Sequence, residues 1–347
     1  MLSRLLRHSL LLLAMLYPPA APAQPGNWDG PTSGPHGQGP KVITFIAQDY
    51  RNGGISGVLR AFNNAATTHL GWRVNNVDGK GDASIIRDAI THAIEQDKPD
   101  AIVLGGFQAN DFKDLVQRAH QAGIQLAGWH AGAKPGPAGD LLVNITTDAM
   151  DVARLAANYA ISSSGGKVGA VIITDTRFEI AIAKAAAMCT ALTHCASCRC
   201  LTIQDVAISR ASTDTDSLIT RMNARFGKQW THTLAINDIY FDEMNFPLRR
   251  AGRGDIRNIA AGDGSHKAIS RIRSGLSQQI ATVAEPLNAQ GWQLADELNR
   301  AFAGQPPSGY VSRPILVTRT QPSGGNNAEI DADLGYQEAY TRIWQAP

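Results

Sequence analysis

The sequence lacks a strong charge of either sign, and it has only one long apolar run. Its 32 lysines and arginines face 30 aspartates and glutamates. This near balance argues against nucleic acid or an anionic membrane surface as the main partner. Beyond the N-terminus, no run approaches the about 20 apolar residues that a membrane-spanning helix needs. We therefore expect neither a nucleic-acid-binding protein nor a transmembrane segment.

The sequence also lacks the common catalytic motifs. It has no G-x4-G-K-[ST] phosphate loop, no G-x-S-x-G nucleophile elbow, no H-E-x-x-H zinc motif and no G-x-G-x-x-G after its first strand. Residues 164–167 contain a Gly-Lys pair, but Val168 replaces the hydroxyl residue that should follow it. The nine histidines show no metal-ligand spacing. A catalytic triad can assemble from distant positions, but these absences favour a protein without enzymatic activity, cofactor or metal.

The one long apolar run lies within residues 1–23. Arg4 and Arg7 precede apolar residues 10–16, and residues 21–23 (Ala-Pro-Ala) form a small-residue cleavage site. This order is typical of a secretory signal peptide, and the run is too short to span a bilayer. A short buried helix is the alternative. Because no cysteine lies near the cleavage site, we expect an exported, soluble chain without a lipid anchor.

Cysteine is scarce, and its four residues share one short stretch: Cys189, Cys195, Cys198 and Cys200. In an oxidising periplasm, an even and clustered set predicts two disulfides, with three pairings open. A four-thiolate zinc site is the alternative. The spacing C-x5-C-x2-C-x-C lacks the paired C-x2-C knuckles of common zinc modules. We expect a disulfide staple at a turn from a helix to a strand.

Strands and helices alternate along most of the chain. Residues 24–40 are rich in Gly and Pro, which predicts a flexible leader. Residues 42–47 (VITFIA) predict a strand buried on both faces, and apolar residues then recur at helical spacing from Ile55 to Leu70. The alternation continues to residue 318 with about eleven strands, too many for one compact sheet. We therefore expect two α/β domains with parallel sheets and helices on both faces.

Several short segments occur in an order that resembles a known family. They are residues 143–148 (VNITTD) before a helix, 236–238 (IND) and 262–264 (GDG) after strands, 275–286 (GLSQQIATVAEP), and the last strand 315–318 (ILVT). None is specific alone. Together with the order of elements, they resemble the ribose- and galactose-type (type I) periplasmic solute-binding proteins of ABC importers, over about residues 41–320.

The resemblance implies two Rossmann-like lobes joined by a hinge of three crossings, with the ligand in the cleft between them. Mapped onto this sequence, the first lobe comprises residues 41–146 and 286–309, and the second 147–285 and 310–320. Residues 321–347 form a C-terminal tail outside the resemblance, and Tyr336, Tyr340 and Trp344 suggest a short docked helix there.

Three site residues match positions that bind ligand in the family. Asn237 and Asp263 correspond to residues that hydrogen-bond sugar hydroxyls, and Glu285 lies where the family often has a hinge glutamine that touches the ligand. Asn offers a donor and an acceptor, and an ionised Asp accepts from two hydroxyls. Asn and Asp after strands also cap helices, so that role stays open for the first two residues.

The first loop differs from the family pattern. Relatives have an Asn followed by aromatic residues there, whereas this sequence offers Asp49, Tyr50 and Asn52 as candidate ligand contacts. Tyr50 is a candidate to stack on a flat ligand face.

The sugar-clamping charges of the family are also missing. Where sugar binders usually carry Asp-Arg, this chain has His130 and Ala131, preceded by Trp129. The expected helix arginine aligns with Ile182, and Arg177 is the candidate replacement. Trp129 is a candidate to stack on the ligand or to pack under a loop, and His130 to hydrogen-bond it. The site is therefore not a standard pyranose clamp.

The sequence predicts the solute-binding component of an ABC importer that captures a sugar or sugar-like polar solute in the periplasm. Its expected partners are that ligand and an inner-membrane ABC permease, with no nucleic acid, and the expected state is a monomer. A sensory co-receptor with the same fold is one alternative, and an exported hydrolase using Asp263, His130 and Glu285 is another. A cytoplasmic repressor is disfavoured because the signal peptide and leader occupy the place of a DNA-binding helix pair.

Overall fold

A computed structural model describes residues 28–262, 264–320 and 330–346. The predicted signal peptide, Asp263 and residues 321–329 lie outside the described residues. No helix within the described ranges is long and apolar enough to cross a membrane. The described chain forms two six-stranded sheets with helices on their faces, which confirms the predicted two-lobed α/β architecture.

The first sheet is built from the N-terminal part of the chain. Its strands are β1 (Val42–Ala47), β2 (Arg73–Asp78), β3 (Ala101–Gly105), β4 (Gln125–Trp129), β5 (Gly136–Ala138) and β6 (Leu141–Ile145). The connecting helices are α1 (Gly53–Asn63), α2 (Ala83–His92) and α3 (Lys113–Gln121). The strand order is β2-β1-β3-β4-β6-β5. We call this sheet and the helices packed on it the first lobe.

The second sheet repeats this arrangement. Its strands are β7 (Gly169–Thr174), β8 (Arg199–Asp205), β9 (His232–Ala235), β10 (Arg257–Ala260), β11 (Gln279–Ala284) and β12 (Ile315–Thr318). Its helices are α4 (Ala149–Ser163), α5 (Glu179–Thr193), α6 (Ala211–Phe226), α7 (Ile239–Arg250) and α8 (His266–Ser274). In the order β8-β7-β9-β10-β11-β12, strand β8 lies at the sheet edge beside β7, just as β2 lies at the edge beside β1. The first four strands of the second lobe therefore have the same doubly wound order as those of the first.

Two later helices return to the first lobe. Helix α9 (Leu287–Phe302) packs on α1, β4 and β6, and α10 (Tyr336–Trp344) packs on α9. The C-terminal helix expected around Tyr336, Tyr340 and Trp344 is therefore present. The chain passes between the lobes three times, at residues 146–148, 285–286 and 303–314.

Side-chain caps fix where several helices begin. Asn52 accepts a hydrogen bond from Gly54 N (2.9 Å), and Asp82 accepts from Ser84 N (2.7 Å). Asp148 caps α4 in the same way, through Met150 N at 2.7 Å. Each cap satisfies a backbone N–H that has no partner within its helix. The caps at Asn52 and Asp148 also set the path of the chain at the cleft and at the first crossing.

Both sheets are mixed, whereas the sequence predicted parallel ones. Strand β5 pairs antiparallel with β6, and β12 pairs antiparallel with β11. The first pair is a hairpin whose two-residue turn contains Gly139 at φ +58°, a backbone region that suits glycine. Strand β12 follows the third crossing, so no crossover helix forces it to run parallel. All other strand pairs are parallel, as predicted.

Residues 28–40 are docked on the first lobe, although their composition predicts a flexible leader. Asn299 of α9 donates to the carbonyls of Pro35 (3.1 Å) and His36 (3.2 Å), and accepts from Gln38 N (2.7 Å). Arg300 donates to Ser33 O at 2.6 Å. We call residues 28–38 the strap. Its backbone supplies the partners that the buried polar side chains of α9 require, which a count of apolar residues does not reveal.

The four cysteines form two disulfides, Cys189–Cys200 and Cys195–Cys198. This confirms the predicted disulfides and selects one of the three open pairings. No thiol is left for the zinc alternative. The longer bridge joins the last turns of α5 to β8, which is a turn from a helix to a strand, as expected.

Candidate functional site

A cavity lies between the lobes at the carboxyl ends of their parallel strands. The first lobe contributes Asn52, Gly106, Trp129 and His130. The second lobe contributes Phe178, Ile180, Ala181, Lys184, Ile208, Ile236 and Asn237. Doubly wound sheets bind ligands at this edge, where strand order reverses and loops gather. We call this space the first cavity.

Two more cavities continue the cleft. The second, of ≈ 220 Å³, shares Asn52 and Ile208 with the first, and the third, of ≈ 450 Å³, shares Asn237. The first cavity, of ≈ 40 Å³, is the smallest of the three.

Glu285 lies behind the first cavity and connects both lobes. Its Oε1 is 2.8 Å from His130 Nε2 of the first lobe and 3.6 Å from Lys184 Nζ of the second. Its Oε2 accepts from Gln290 Nε2 (2.8 Å) and from Thr147 N (3.3 Å). The predicted hinge carboxylate is thus fully buried and does not line the first cavity. It positions two residues that do.

The charge of Glu285 is stabilised by its neighbours. Burial alone would raise the pKa of this carboxyl, but the adjacent His130 and Lys184 and the hydrogen bond from Gln290 hold that pKa well below the usual 4.5. Glu285 is therefore ionised at neutral pH. A buried carboxylate of this kind requires paired cationic groups.

Trp129 and His130 form a stacked pair at the end of β4. Their ring centroids are 4.0 Å apart and their planes differ by 9°. His130 occupies φ +50°, a left-handed conformation uncommon for residues other than glycine. Trp129 Nε1 donates to Gln290 Oε1 at 2.7 Å, which fixes the indole. Both residues line the first cavity, but His130 covers one face of the tryptophan ring that was expected to stack on the ligand.

The first-loop candidates are divided between the cavities. Asn52 lines the first and second cavities, Asp49 the second, and Tyr50 the third. Burial raises the pKa of Asp49, but hydrogen bonds from Arg51 and its charge outweigh burial and lower that pKa overall. This carboxylate is thus engaged within its own loop. Tyr50 is 37% exposed at the entrance of the cleft.

The second-lobe candidates differ in their surroundings. Asn237 lines the first and third cavities, and its Oδ1 also accepts from Ile239 N (3.0 Å) at the start of α7. Arg177 forms a two-point ion pair with Asp175, with Nε–Oδ1 at 2.9 Å, and lines none of the three cavities. Asp263 lies outside the described residues, so its contacts are not placed.

Asp238 holds the described part of the loop after β10. Its Oδ2 accepts from Gly264 N (2.8 Å) and from Thr282 Oγ1 (3.2 Å), and its Oδ1 accepts from Gln279 Nε2 (2.7 Å). Burial raises the pKa of this carboxyl. Asp238 is therefore a structural residue at the edge of the cleft and does not line it.

Sequence reasoning missed Lys184 and the apolar wall of the first cavity. That wall consists of Phe178, Ile180, Ala181, Ile208 and Ile236. Lys184 is buried in α5, whose sequence EIAIAKAAAMCTALT contains no other basic residue. A lone lysine among buried alanines is a recognisable signal, because lysine is seldom buried without a partner. The wall residues carry no such signal, since apolar residues near strand ends are usually core.

Comparison with known proteins identifies relatives of the whole two-lobed unit. A family model described as periplasmic binding protein domain matches residues 43–306. No curated protein matches the sequence. Solved structures share the fold at low sequence identity, and three of them are informative about ligands.

An ABC transporter solute-binding protein from Agrobacterium vitis with bound allitol has a TM-score of 0.68 at 18% identity, covering 81% of this chain and 96% of that one. A Caulobacter myo-inositol-binding protein has a TM-score of 0.69 at 17% identity, covering 87% and 98%. A 5-methylthioribose transporter solute-binding protein from Thermotoga lettingae has a TM-score of 0.72 at 16% identity, covering 87% and 96%. At these identities the likeness shows the fold.

Proposed function

The chain belongs to the periplasmic binding protein family, and from that premise we propose that it is the solute-binding component of an ABC importer for a sugar-like solute. The single observation that carries this proposal is the cleft, whose first cavity is lined by polar and apolar residues of both lobes. A solute bound there contacts both lobes at once, so binding favours closure. A permease can then distinguish the closed form from the open one.

The ligands of the structural neighbours support a small polyhydroxylated solute. The Agrobacterium, Caulobacter and Thermotoga proteins hold allitol, myo-inositol and 5-methylthioribose respectively. The apolar wall of the first cavity suits the carbon face of such a solute, and Asn52 and Asn237 suit its hydroxyls. Micromolar affinity needs about 8 kcal/mol, which a few such contacts supply.

We assign ligand contact in this proposal to Asn52, Trp129, His130, Lys184 and Asn237. Asp263 remains a proposed contact on the family match alone, and Glu285 acts by positioning His130 and Lys184. Asp49 and Tyr50 belong to the entrance, and Arg177 to a neighbouring ion pair. The lobe boundaries proposed from the sequence remain part of this proposal. Export by residues 1–23 and an inner-membrane permease partner complete the proposal.

Isothermal titration with allitol, myo-inositol and 5-methylthioribose tests the proposal. At about 100 times its dissociation constant, a ligand stabilises the protein by ~2.7 kcal/mol, which a thermal-shift assay detects. Asn237→Ala should weaken binding at least tenfold, whereas Asn64→Ala, an exposed change in the first lobe, should not. Equal binding by both variants, or turnover of the solute on prolonged incubation, would contradict the proposal.

A further inference from the structure

Lys184 is a buried cation with incomplete pairing. Its side chain is 3% exposed, and its Nζ lies 3.6 Å from Glu285 Oε1. That distance is beyond a normal hydrogen bond, and no described residue accepts a hydrogen bond from Nζ. An ammonium group carries three donors. A buried lysine in this state needs a further acceptor, and Lys184 lines the first cavity.

Glu285 does not supply that acceptor at its distance of 3.6 Å. Its Oε1 already contacts His130 Nε2 at 2.8 Å, and its Oε2 accepts from Gln290 and Thr147. One carboxylate is therefore shared by a lysine, a histidine, an amide and a backbone N–H. Ions removed from water need close, well-hydrogen-bonded counter-charges. A second anion beside Lys184 would complete this arrangement.

The remaining described lining of the first cavity offers no such anion. None of its residues is Asp or Glu. Asn52 uses its Oδ1 to cap α1, so its amide N–H₂ is the part left for a ligand. Phe178, Ile180 and Ile208 of the second lobe add apolar surface to the lining. The described lining thus combines the donors of Asn52 and Lys184 with apolar side chains, which suits a solute that carries acceptors.

We propose that the solute carries a carboxylate that pairs with Lys184 Nζ in the first cavity, as in an aldonate or a uronate. This inference rests on the proposed function. It narrows the proposed ligand class from sugar-like solutes in general to sugar acids. The competing role for Lys184 is purely structural, as an ion pair that joins the second lobe to Glu285. The two roles differ in whether Lys184 affects the choice between an acid and its neutral counterpart.

The test is isothermal titration of matched pairs at pH 7.5: ribose with ribonate, galactose with galactonate, and glucose with glucuronate. With the wild type, at least one acid should bind tenfold or more tightly than its neutral partner. Lys184→Met should abolish that preference by weakening the acid, and Lys184→Arg should keep it. Lys228→Met, at an 82% exposed lysine of the second lobe that lines none of the three cavities, is the matched control and should leave the preference intact.

Lys184→Met leaves Glu285 with one cation fewer, so a second variant guards against misfolding. The double variant with Lys184→Met and Glu285→Gln lacks both charges. It should also bind the acid and the neutral solute with equal affinity. Preference for the neutral member of each pair, or an acid preference that survives Lys184→Met, overturns the inference. If neutral solutes alone bind, the solute-binding proposal stands and the carboxylate proposal falls. If no member of any pair and no neighbour's ligand binds, both proposals fall.

Discussion

At the residue scale, Glu285 is where the three crossings meet. It belongs to the second crossing and accepts from Thr147 N of the first. Gln290 Nε2, which donates to Glu285, also donates to Ser312 Oγ of the third crossing at 3.0 Å. Because His130 and Lys184 approach the same carboxylate from opposite lobes, this one side chain links cavity, hinge and lobes.

Glu285→Gln should destabilise the protein by about 3 to 5 kcal/mol, because it leaves the buried Lys184 without its counter-charge. Urea denaturation at pH 7 measures this change. Glu95→Gln is the control, since Glu95 pairs with Arg118 on the surface at 2.7 Å, and such pairs contribute at most about 1 kcal/mol.

The pH dependence of this effect has a definite sign. The folded pKa of Glu285 is depressed below 4.5, so its ionised form contributes stability above that pH and loses it as the pH falls further. The difference between wild type and Glu285→Gln should therefore shrink below pH 4.5. A difference that is constant with pH, or no larger than that of Glu95→Gln, would contradict the role given to Glu285.

His232 should make a separate contribution to the loss of folding stability in acid. Burial, and next the charge of Arg257, lower its pKa to about 4 from the usual 6.5. Between these values the unfolded chain binds the proton more readily, so stability falls as the pH drops from 6.5 to about 4, with no further loss below. His232→Gln should flatten this part of the stability profile. His92→Gln, whose parent side chain is 65% exposed, should leave it unchanged.

The roles of individual residues can be predicted from the sequence where a residue type has one strongly preferred local role. The position of Asp82 before the apolar stripe of α2 predicts a helix cap, and its side chain does accept from Ser84 N. Lys184 was not identified as a site residue, because only the packing of α5 against the hinge brings its ammonium near Glu285. A contact between residues about a hundred positions apart leaves no local pattern.

At the element scale, helix α9 and the strap depend on each other. The helix is buried even at polar positions, including Asp296 and Asn299. Asp296 accepts from Arg300 Nε (2.7 Å) and from Trp344 Nε1 (2.9 Å) of α10. The strap and α10 thus cover a helix face that would otherwise face water. The composition of residues 24–40 predicted a flexible leader because composition counts side chains only, whereas the strap binds mainly through its backbone.

The two disulfides should contribute unequally to stability. In the chain-entropy view, a bridge stabilises more when it closes a longer loop. The separations are 11 residues for Cys189–Cys200 and 3 for Cys195–Cys198. Replacing the first pair by serine should cost about 1 kcal/mol more than replacing the second. Thermal denaturation of the two double variants measures this, and an equal or reversed order would show that loop entropy does not dominate.

At the scale of the whole molecule, each lobe has its own hydrophobic core. One core lies on the second sheet, with Ile172 and Trp230, and separate clusters lie on the two faces of the first. Of the six tryptophans, Trp230 is in the second lobe, whereas Trp28, Trp72, Trp129, Trp292 and Trp344 belong to the first. Tryptophan fluorescence therefore reports mainly on the first lobe, and circular dichroism reports on both.

Ile172→Ala should separate the unfolding of the two lobes in the absence of ligand. Both Ile172 and Ile102, a strand residue of the first sheet, are fully buried, and such truncations cost about 2 to 5 kcal/mol. In the Ile172→Ala variant, the unfolding transition followed by circular dichroism should broaden towards lower urea concentrations. The urea midpoint followed by tryptophan fluorescence should not change. Ile102→Ala should lower the fluorescence midpoint instead. Coincident shifts of both signals in both variants would mean that the lobes unfold as one unit.

Local patterns in the sequence predict the elements and their order. Continuous apolar runs predicted the parallel strands, helical spacing predicted the helices between them, and four clustered cysteines predicted the disulfides, because each pattern depends on residues close in sequence. Tertiary structure alone decided the antiparallel edge strands, the docking of the strap on α9 and the meeting of His130, Lys184 and Glu285. These depend on distances between residues far apart in the chain, which form only when the two sheets and three crossings assemble together.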